Sequence, residues 1–249
     1  MSLIIFIFGL CIGSFLNVCI CRFIEDESVI FPASHCPECK KNLRWFDNVP
    51  IISFLLLGGK CRYCLGRISL QYPAVEFLTG IIFWYIYVKW GFSRELFMYV
   101  FLTSMLLVIG FIDARTTLIP DIITVPGIIT GLVLNLVFAF IDKSFLNFFD
   151  AFLGMVLGLG VFGFIVFASR GGMGIGDIKL AGLIGVFLGL KNAFLTVLLS
   201  FIIGGFIGII LLVFKIKKRR DEIPFGPYLA TASVISIFWG ETIYRWWLG

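Results

Sequence analysis

Charge is scarce in this chain. Only 14% of its 249 residues are charged and 60% are hydrophobic, whereas a soluble domain carries roughly 25% charge. Mean hydropathy is +1.05. No single soluble core of this size hides such an apolar surplus. That excludes an ordinary cytosolic enzyme, a secreted disulfide mini-protein and a disordered tail. Histidine is nearly missing, with His35 the only one. A Ser–His or Cys–His hydrolase would rest on that one residue, and a membrane zinc protease would need an absent H-E-x-x-H. No G-x-x-x-x-G-K-[ST] phosphate loop exists. A net charge of +5 is too small for a nucleic-acid partner. Apolar residues do not alternate, which excludes a membrane β-barrel.

Long apolar runs are what the chain does have, and they indicate an all-α polytopic membrane protein. Eight stretches are long enough, or nearly so, to span: 3–21, 74–89, 96–112, 122–141, 148–168, 179–190, 193–214 and 226–247. The sixth is short and reads as a half-span or as part of a broken hairpin with the seventh. No basic residue precedes the first run and no small-residue cleavage site follows it, so it reads as a membrane helix and not a signal peptide. The organisation is then a first transmembrane helix (1–21), a polar segment (22–73) and a multi-helix membrane domain (74–249).

Basic residues set the orientation. With 22–73 in the cytoplasm, fifteen of the twenty Lys and Arg residues fall on that side. They include Arg115, Arg170, Lys179 and the KIKKRR run (Lys215, Lys217, Lys218, Arg219, Arg220). Lys89, Arg94, Lys143, Lys191 and Arg245 fall outside, as do both termini. The KIKKRR run suits anionic headgroups, at about 1 kcal/mol per charge. Glycines four apart (Gly9/Gly13, Gly154/Gly158, Gly204/Gly208) suit close helix packing.

Four of the seven cysteines form two C-x-x-C pairs, Cys36/Cys39 and Cys61/Cys64. Each pair can turn two sulfurs toward one point, and two pairs complete a four-thiolate zinc shell. Such a shell has no open position, so the metal would be structural. Two disulfides are the alternative, which a reducing cytoplasm disfavours. His35 reads as a loop residue beside Cys36, and Cys11, Cys19 and Cys21 as lipid-facing or packed small hydrophobes.

Two aspartates fall at the same expected membrane face on different helices. Asp113 ends the third apolar stretch in GFIDARTTLIPD. Asp177 opens the sixth in RGGMGIGDIKLAG. An ionisable group near a membrane helix needs a reason. Two carboxylates can share one proton, so that one activates water while the other donates to a peptide carbonyl. Gly171, Gly172, Gly174 and Gly176 clear side chains from a path an extended substrate could take. Alternatively each aspartate is an interfacial cap or ion-pair partner, the reading taken for Asp121, Asp142 and Asp150.

Together these residues resemble the bacterial prepilin peptidases, or type IV leader peptidases, intramembrane aspartic proteases of the G-x-G-D type. The resemblance runs in order along nearly the whole chain. It is carried by GSFLNV with Arg22, CPEC, WFDNVPIISF, CRYC, QYPAVE, DARTTLIPD, GMGIGDIKL and PFGPYL. It implies that Asp113 and Asp177 are the catalytic acids. Gly174, Gly176 and Lys179 would support them, together with Pro224, Phe225, Gly226 and Pro227 of a loop near the pair. The implied reaction is cleavage of the basic leader of type IV prepilins and pseudopilins, after a glycine that usually precedes phenylalanine, at the cytoplasmic face of the inner membrane. Members with the zinc segment also methylate the new N-terminus with S-adenosylmethionine. On this reading 22–73 is the methyltransferase-associated segment and 74–249 the peptidase domain. Asn17, Arg22 and Glu76 match family positions near the cytoplasmic face and are the candidates for methyl transfer. A plain charge at a helix N-terminus is the alternative for Glu76. Lys179 and Arg115 could orient an aspartate or meet headgroups.

A transporter using paired aspartates would place them near the bilayer midplane and show inverted repeats, which the sequence lacks. A non-catalytic zinc-bearing scaffold would not require the two aspartate motifs.

Overall fold

A computed structural model describes residues 1–31, 33–169, 172–216 and 223–248. Arg170, Gly171 and, from the KIKKRR run, Lys217 to Arg220 lie outside the described residues. The elements are α1 (Ser2–Ile24), a 3-10 turn (Trp45–Asn48), α2 (Ile52–Leu56), α3 (Gln71–Trp90), α4 (Arg94–Thr116), α5 (Asp121–Ile141), α6 (Leu146–Ala168), α7 (Ile175–Val213) and α8 (Gly226–Leu248). Among the described residues the only extended pairing is two isolated bridges, so the class is all-α. By length and composition, α1, α4, α5, α6 and α7 can cross a membrane. The expected second and eighth spans are helical too, as α3 and α8. Their charged residues are Glu76 and Lys89 in α3 and Glu241 and Arg245 in α8.

The chain divides into two compact units, Met1–Val108 and Ile109–Gly249. In the first, α1 and α3 run antiparallel at very short separation. A Cβ on Gly9 would lie 2.8 Å from the Cα of Gly80, and one on Gly13 would lie 2.7 Å from the Cα of Glu76. The paired glycines therefore set the interhelical distance. On these two helices Ile20, Val75, Phe83 and Ile86 are fully buried or nearly so. The polar segment joins these two helices.

In the second unit α6 packs along α7 by the same device. Gly154 lies against Gly185 and Gly189, and Gly158 against the Ala181 carbonyl. Helical geometry in α7 fails at one residue, Gly189 (φ 70°, ψ 174°). Beyond it the chain folds back. The Lys191 carbonyl accepts from Tyr244, late in α8, and the Asn192 carbonyl from Ser236, in its middle. Gly204, by contrast, abuts Tyr228 at the start of α8. Along α6, Gly154 meets Gly185 and Gly189 and Gly158 meets Ala181, while Phe162, one turn further on, stacks on Phe201, so the arms 175–188 and 190–213 are antiparallel, which accounts for the short sixth apolar stretch. Asp150 Oδ1 accepts the Leu190 N–H at 3.2 Å and caps the returning arm. Of the glycine pairs expected to pack, Gly208 does not: nothing lies within 4 Å of its Cβ position.

Candidate functional site

Asp113 sits in the last turn of α4 and is buried, and Asp177 sits in the first turn of α7 and is also buried. Both belong to the second unit, and the Asp113 charge acts on Asp177. Asp113 Oδ2 accepts the Gly226 N–H at 2.8 Å. Gly226 is the first residue of α8, so an otherwise unpaired helix-terminal donor, and the positive end of the helix dipole, face this carboxylate. A Cβ on Gly226 would stand 2.7 Å from Asp113 Oδ2, so only glycine fits. Pro227 follows at a position where a helix does not need its N–H.

Asp177 is held differently. Its N–H donates to the Gly174 carbonyl at 3.2 Å, closing the turn that starts α7. Its Oδ1 is buried with no hydrogen-bond partner. A Cβ on Gly174 would come to 3.3 Å from Asp177 Oδ2, and one on Gly176 to 2.8 Å from Ile119. The two glycines of G-I-G-D therefore leave space at the carboxylate and let α7 approach the loop before α5. Lys179 contacts neither buried aspartate. Its Nζ bonds both Asp121 oxygens at 2.7 Å, tying the start of α7 to the start of α5. Arg115 is exposed. Phe225 packs against Phe162, Phe201 and Tyr228 with ring centroids 5.3–6.0 Å apart. Pro224 is half-buried beside it.

In the first unit the four sulfurs of Cys36, Cys39, Cys61 and Cys64 lie within 4.8 Å of one another. Two loops of one design bring them there. In the first, Lys40 N–H donates to the Cys36 carbonyl at 2.8 Å and Cys36 N–H to the Lys41 carbonyl at 3.0 Å. In the second, Leu65 N–H donates to the Cys61 carbonyl at 3.0 Å and Cys61 N–H to the Gly66 carbonyl at 2.8 Å. Lys40 and Leu65 take the same positive φ, 54° and 60°. The bridges His35–Asn42 and Lys60–Arg67 close both loops at equivalent positions.

The backbone N–H groups of Cys64 and Tyr63 point at the Cys61 sulfur and hold its thiol down to about 7. Burial pushes Cys36 up. For Cys64 the Gly66 amide favours the thiolate. Desolvation and the neighbouring thiols outweigh it and push the group up to about 12. Four sulfurs this close share ionisation poorly unless a cation sits among them. The donor set fits a tetrahedral thiophilic dication. His35 is not part of the cluster: its Nδ1 lies 3.2 Å from the Ala33 carbonyl.

Asn17, Arg22 and Glu76 are all buried, and each has a partner. Asn17 Nδ2 donates to the Tyr72 carbonyl at 3.0 Å, and Arg22 to the Ser28 carbonyl at 2.7 Å. Glu76 is not a charge at a helix N-terminus, because α3 starts at Gln71 and places it in the second turn. Its Oε2 accepts the Ile51 N–H at 2.8 Å, and the Ser14 hydroxyl also reaches the carboxylate. Ile51 needs that anchor. Ile52 N–H donates back to the Pro50 carbonyl at 2.6 Å, closing a three-residue turn with Ile51 at φ 59°, ψ −48°. A β-branched residue held there costs roughly 1–3 kcal/mol.

Residues 7–90 match the model of the bacterial Peptidase A24 N-terminal domain, and residues 100–209 that of the type IV leader peptidase family. The prepilin leader peptidase/N-methyltransferase of Aeromonas hydrophila is 34% identical, over 98% of this chain and 93% of that protein. That of Pseudomonas aeruginosa is 35% identical over 96% and 91%, and that of Legionella pneumophila 32% over 100% and 95%.

The chain belongs to the type IV leader peptidase family.

No solved structure matches it. As a member of this family with several membrane-length apolar helices, it is a multi-pass inner-membrane protein. Two features of this member were not visible in the motifs. One is the Lys179–Asp121 pair, although both residues lie inside the motifs quoted. The other is the Ile51 turn, which no glycine or asparagine marks.

Proposed function

We propose that this chain cleaves the leader from type IV prepilins and pseudopilins and then methylates the exposed N-terminal amine. The carrying observation is the buried pair Asp113 and Asp177, one oxygen fixed by the Gly226 amide and another, Asp177 Oδ1, without a partner. In this reading the pair holds one proton. The ionised carboxylate takes a proton from water as its oxygen attacks the scissile carbonyl. The protonated partner donates to the carbonyl oxygen. Collapse of the tetrahedral intermediate breaks the C–N bond, and the leaving amine takes up a proton. Gly226 holds Asp113 in place, and Gly174 keeps the approach to Asp177 open.

The proposed topology has eight crossings, with the four-cysteine segment and the aspartate pair at the cytoplasmic face and both termini outside. A prepilin, with an apolar helix in the bilayer and a basic leader in the cytoplasm, meets the pair at that interface. Backbone near the cut must leave its helix, and a glycine before the bond lowers that cost.

The four cysteines would hold a structural zinc that folds the segment beside the first unit's helices. For methyl transfer, S-adenosylmethionine would donate to the free amine. Asn17, Arg22 and Glu76 are the candidate residues, gathered as buried polar groups at the α1–α3 contact. The curated relatives named as N-methyltransferases favour the second activity.

The test is mass spectrometry of a prepilin incubated with the purified chain, with and without S-adenosylmethionine. Cleavage after the leader glycine, plus one methyl only with the donor, is the expected result. An uncut prepilin, with the chain folded and several substrates tried, contradicts the peptidase. Cleavage without methyl gain contradicts the second activity alone.

A further inference from the structure

The polar segment holds a short helix whose apolar face is covered by none of the described residues. In α2, Ile52, Leu55 and Leu56 are 57%, 69% and 81% exposed. Their i, i+3, i+4 spacing puts them on one side. Leaving three large apolar side chains in water is unfavourable, and the turn leading into them is itself strained at Ile51. Something beyond the described residues must offset both.

The position of α2 says what that is. Its N-cap, Ile51, is hydrogen-bonded to Glu76, the sixth residue of α3. At 1.5 Å rise per residue, Glu76 lies about 7–8 Å along α3 from its start. The same carboxylate meets Ser14, well inside α1. The entry to α2 is therefore pinned within a side-chain length of a level that α1 and α3 place below the membrane surface. Interfacial helices bury their apolar faces about 5–10 Å into the headgroup and acyl boundary. Beyond α2, Gly58 and Gly59 take positive φ just before Lys60 and Cys61.

We infer that α2 is an interfacial helix that seats Ile52, Leu55 and Leu56 in the acyl chains. It thereby tethers the four-cysteine segment to the bilayer through the Glu76–Ile51 bond. This rests on the reading of α1 and α3 as membrane helices. The occupant is lipid, because the anchor fixes the level of the face and not merely its polarity.

The experiment uses the full zinc-loaded chain in nanodiscs, with Cys11, Cys19 and Cys21 changed to serine. An environment-sensitive fluorophore goes on Leu55→Cys or Leu56→Cys. Phe8→Cys on the exposed side of α1 is the lipid reference, and Glu25→Cys past its end is the water reference. The account requires brominated lipids to quench the α2 labels as strongly as Phe8, and aqueous iodide to quench only Glu25. Iodide quenching at α2 overturns it. So does protection from both quenchers, which means a protein surface covers the face. Failure of Phe8 to respond to brominated lipid would instead sink the membrane reading of α1. Retained zinc shows that each labelled variant is folded.

Discussion

The backbone amide of Gly226 donates to Asp113 Oδ2 at 2.8 Å, and the same residue leaves no room for a methyl group beside that oxygen. One glycine thus supplies a donor and a shape. Gly226→Ala should displace the carboxylate or lengthen the bond. Losing one such bond to a charged group costs about 1.5–3 kcal/mol, or roughly 10–100-fold in cleavage rate. Zinc content and helicity should not change. A wild-type rate would show that the contact does not position the carboxylate.

Lys179 and Asp121 pair across two motifs, and both are partly exposed. An exposed pair contributes little, so either single change to alanine should lower cleavage by about fivefold or less. Their coupling is the sharper test. Lys179→Ala with Asp121→Ala should be no worse than the poorer single variant, since one interaction is lost once. Independent, multiplying losses would mean that the residues act separately.

Metal binding by the four-cysteine cluster has a pH dependence of definite sign. Cys61 is held down to about 7, so its thiolate is present above that pH and is lost as pH falls through it. Zinc affinity should therefore fall on acidification through neutrality. Near neutral pH, loading the metal-free chain should release a whole proton each from Cys64, which is pushed up to about 12, and from Cys36, which burial also pushes up, and part of one from Cys61. Calorimetry in buffers of different ionisation enthalpy measures the release. Metal uptake without proton release would contradict the four-thiolate assignment.

Gly158 faces the Ala181 carbonyl, whereas Gly160, two residues on and so on nearly the opposite side of α6, has nothing within 4 Å of its Cβ position. Gly158→Val should force α6 from α7 and destabilise the chain by about 1–3 kcal/mol. Gly160→Ala should be neutral or slightly stabilising. Thermal unfolding of both in one detergent compares them directly, and equal midpoints would contradict the packing.

Much of this fold is legible in sequence because membrane helices announce themselves by length and apolarity. The aspartates and cysteines stand out for the converse reason, as polar groups with motif spacing. The break between the sixth and seventh stretches is legible from Lys191 and Asn192, which interrupt the apolar run, but its cause, a single positive φ at Gly189, is not. The matched loops around the cysteines are hidden too, since Lys40–Lys41 and Leu65–Gly66 occupy equivalent places with no common chemistry. Hydrogen bonding of the backbone, not the side chains, makes them alike. The Ile51 turn is illegible because isoleucine is a poor choice for a positive φ. It is fixed from outside by Glu76, 25 residues away in the chain.

The central claim is that Asp113 and Asp177 perform the cleavage together. The most direct measurement is prepilin cleavage by Asp113→Asn and Asp177→Asn beside the unmodified chain, each with its zinc content verified. The account predicts that both variants keep zinc and fold, and that neither cuts. Substantial cleavage by either variant would contradict it.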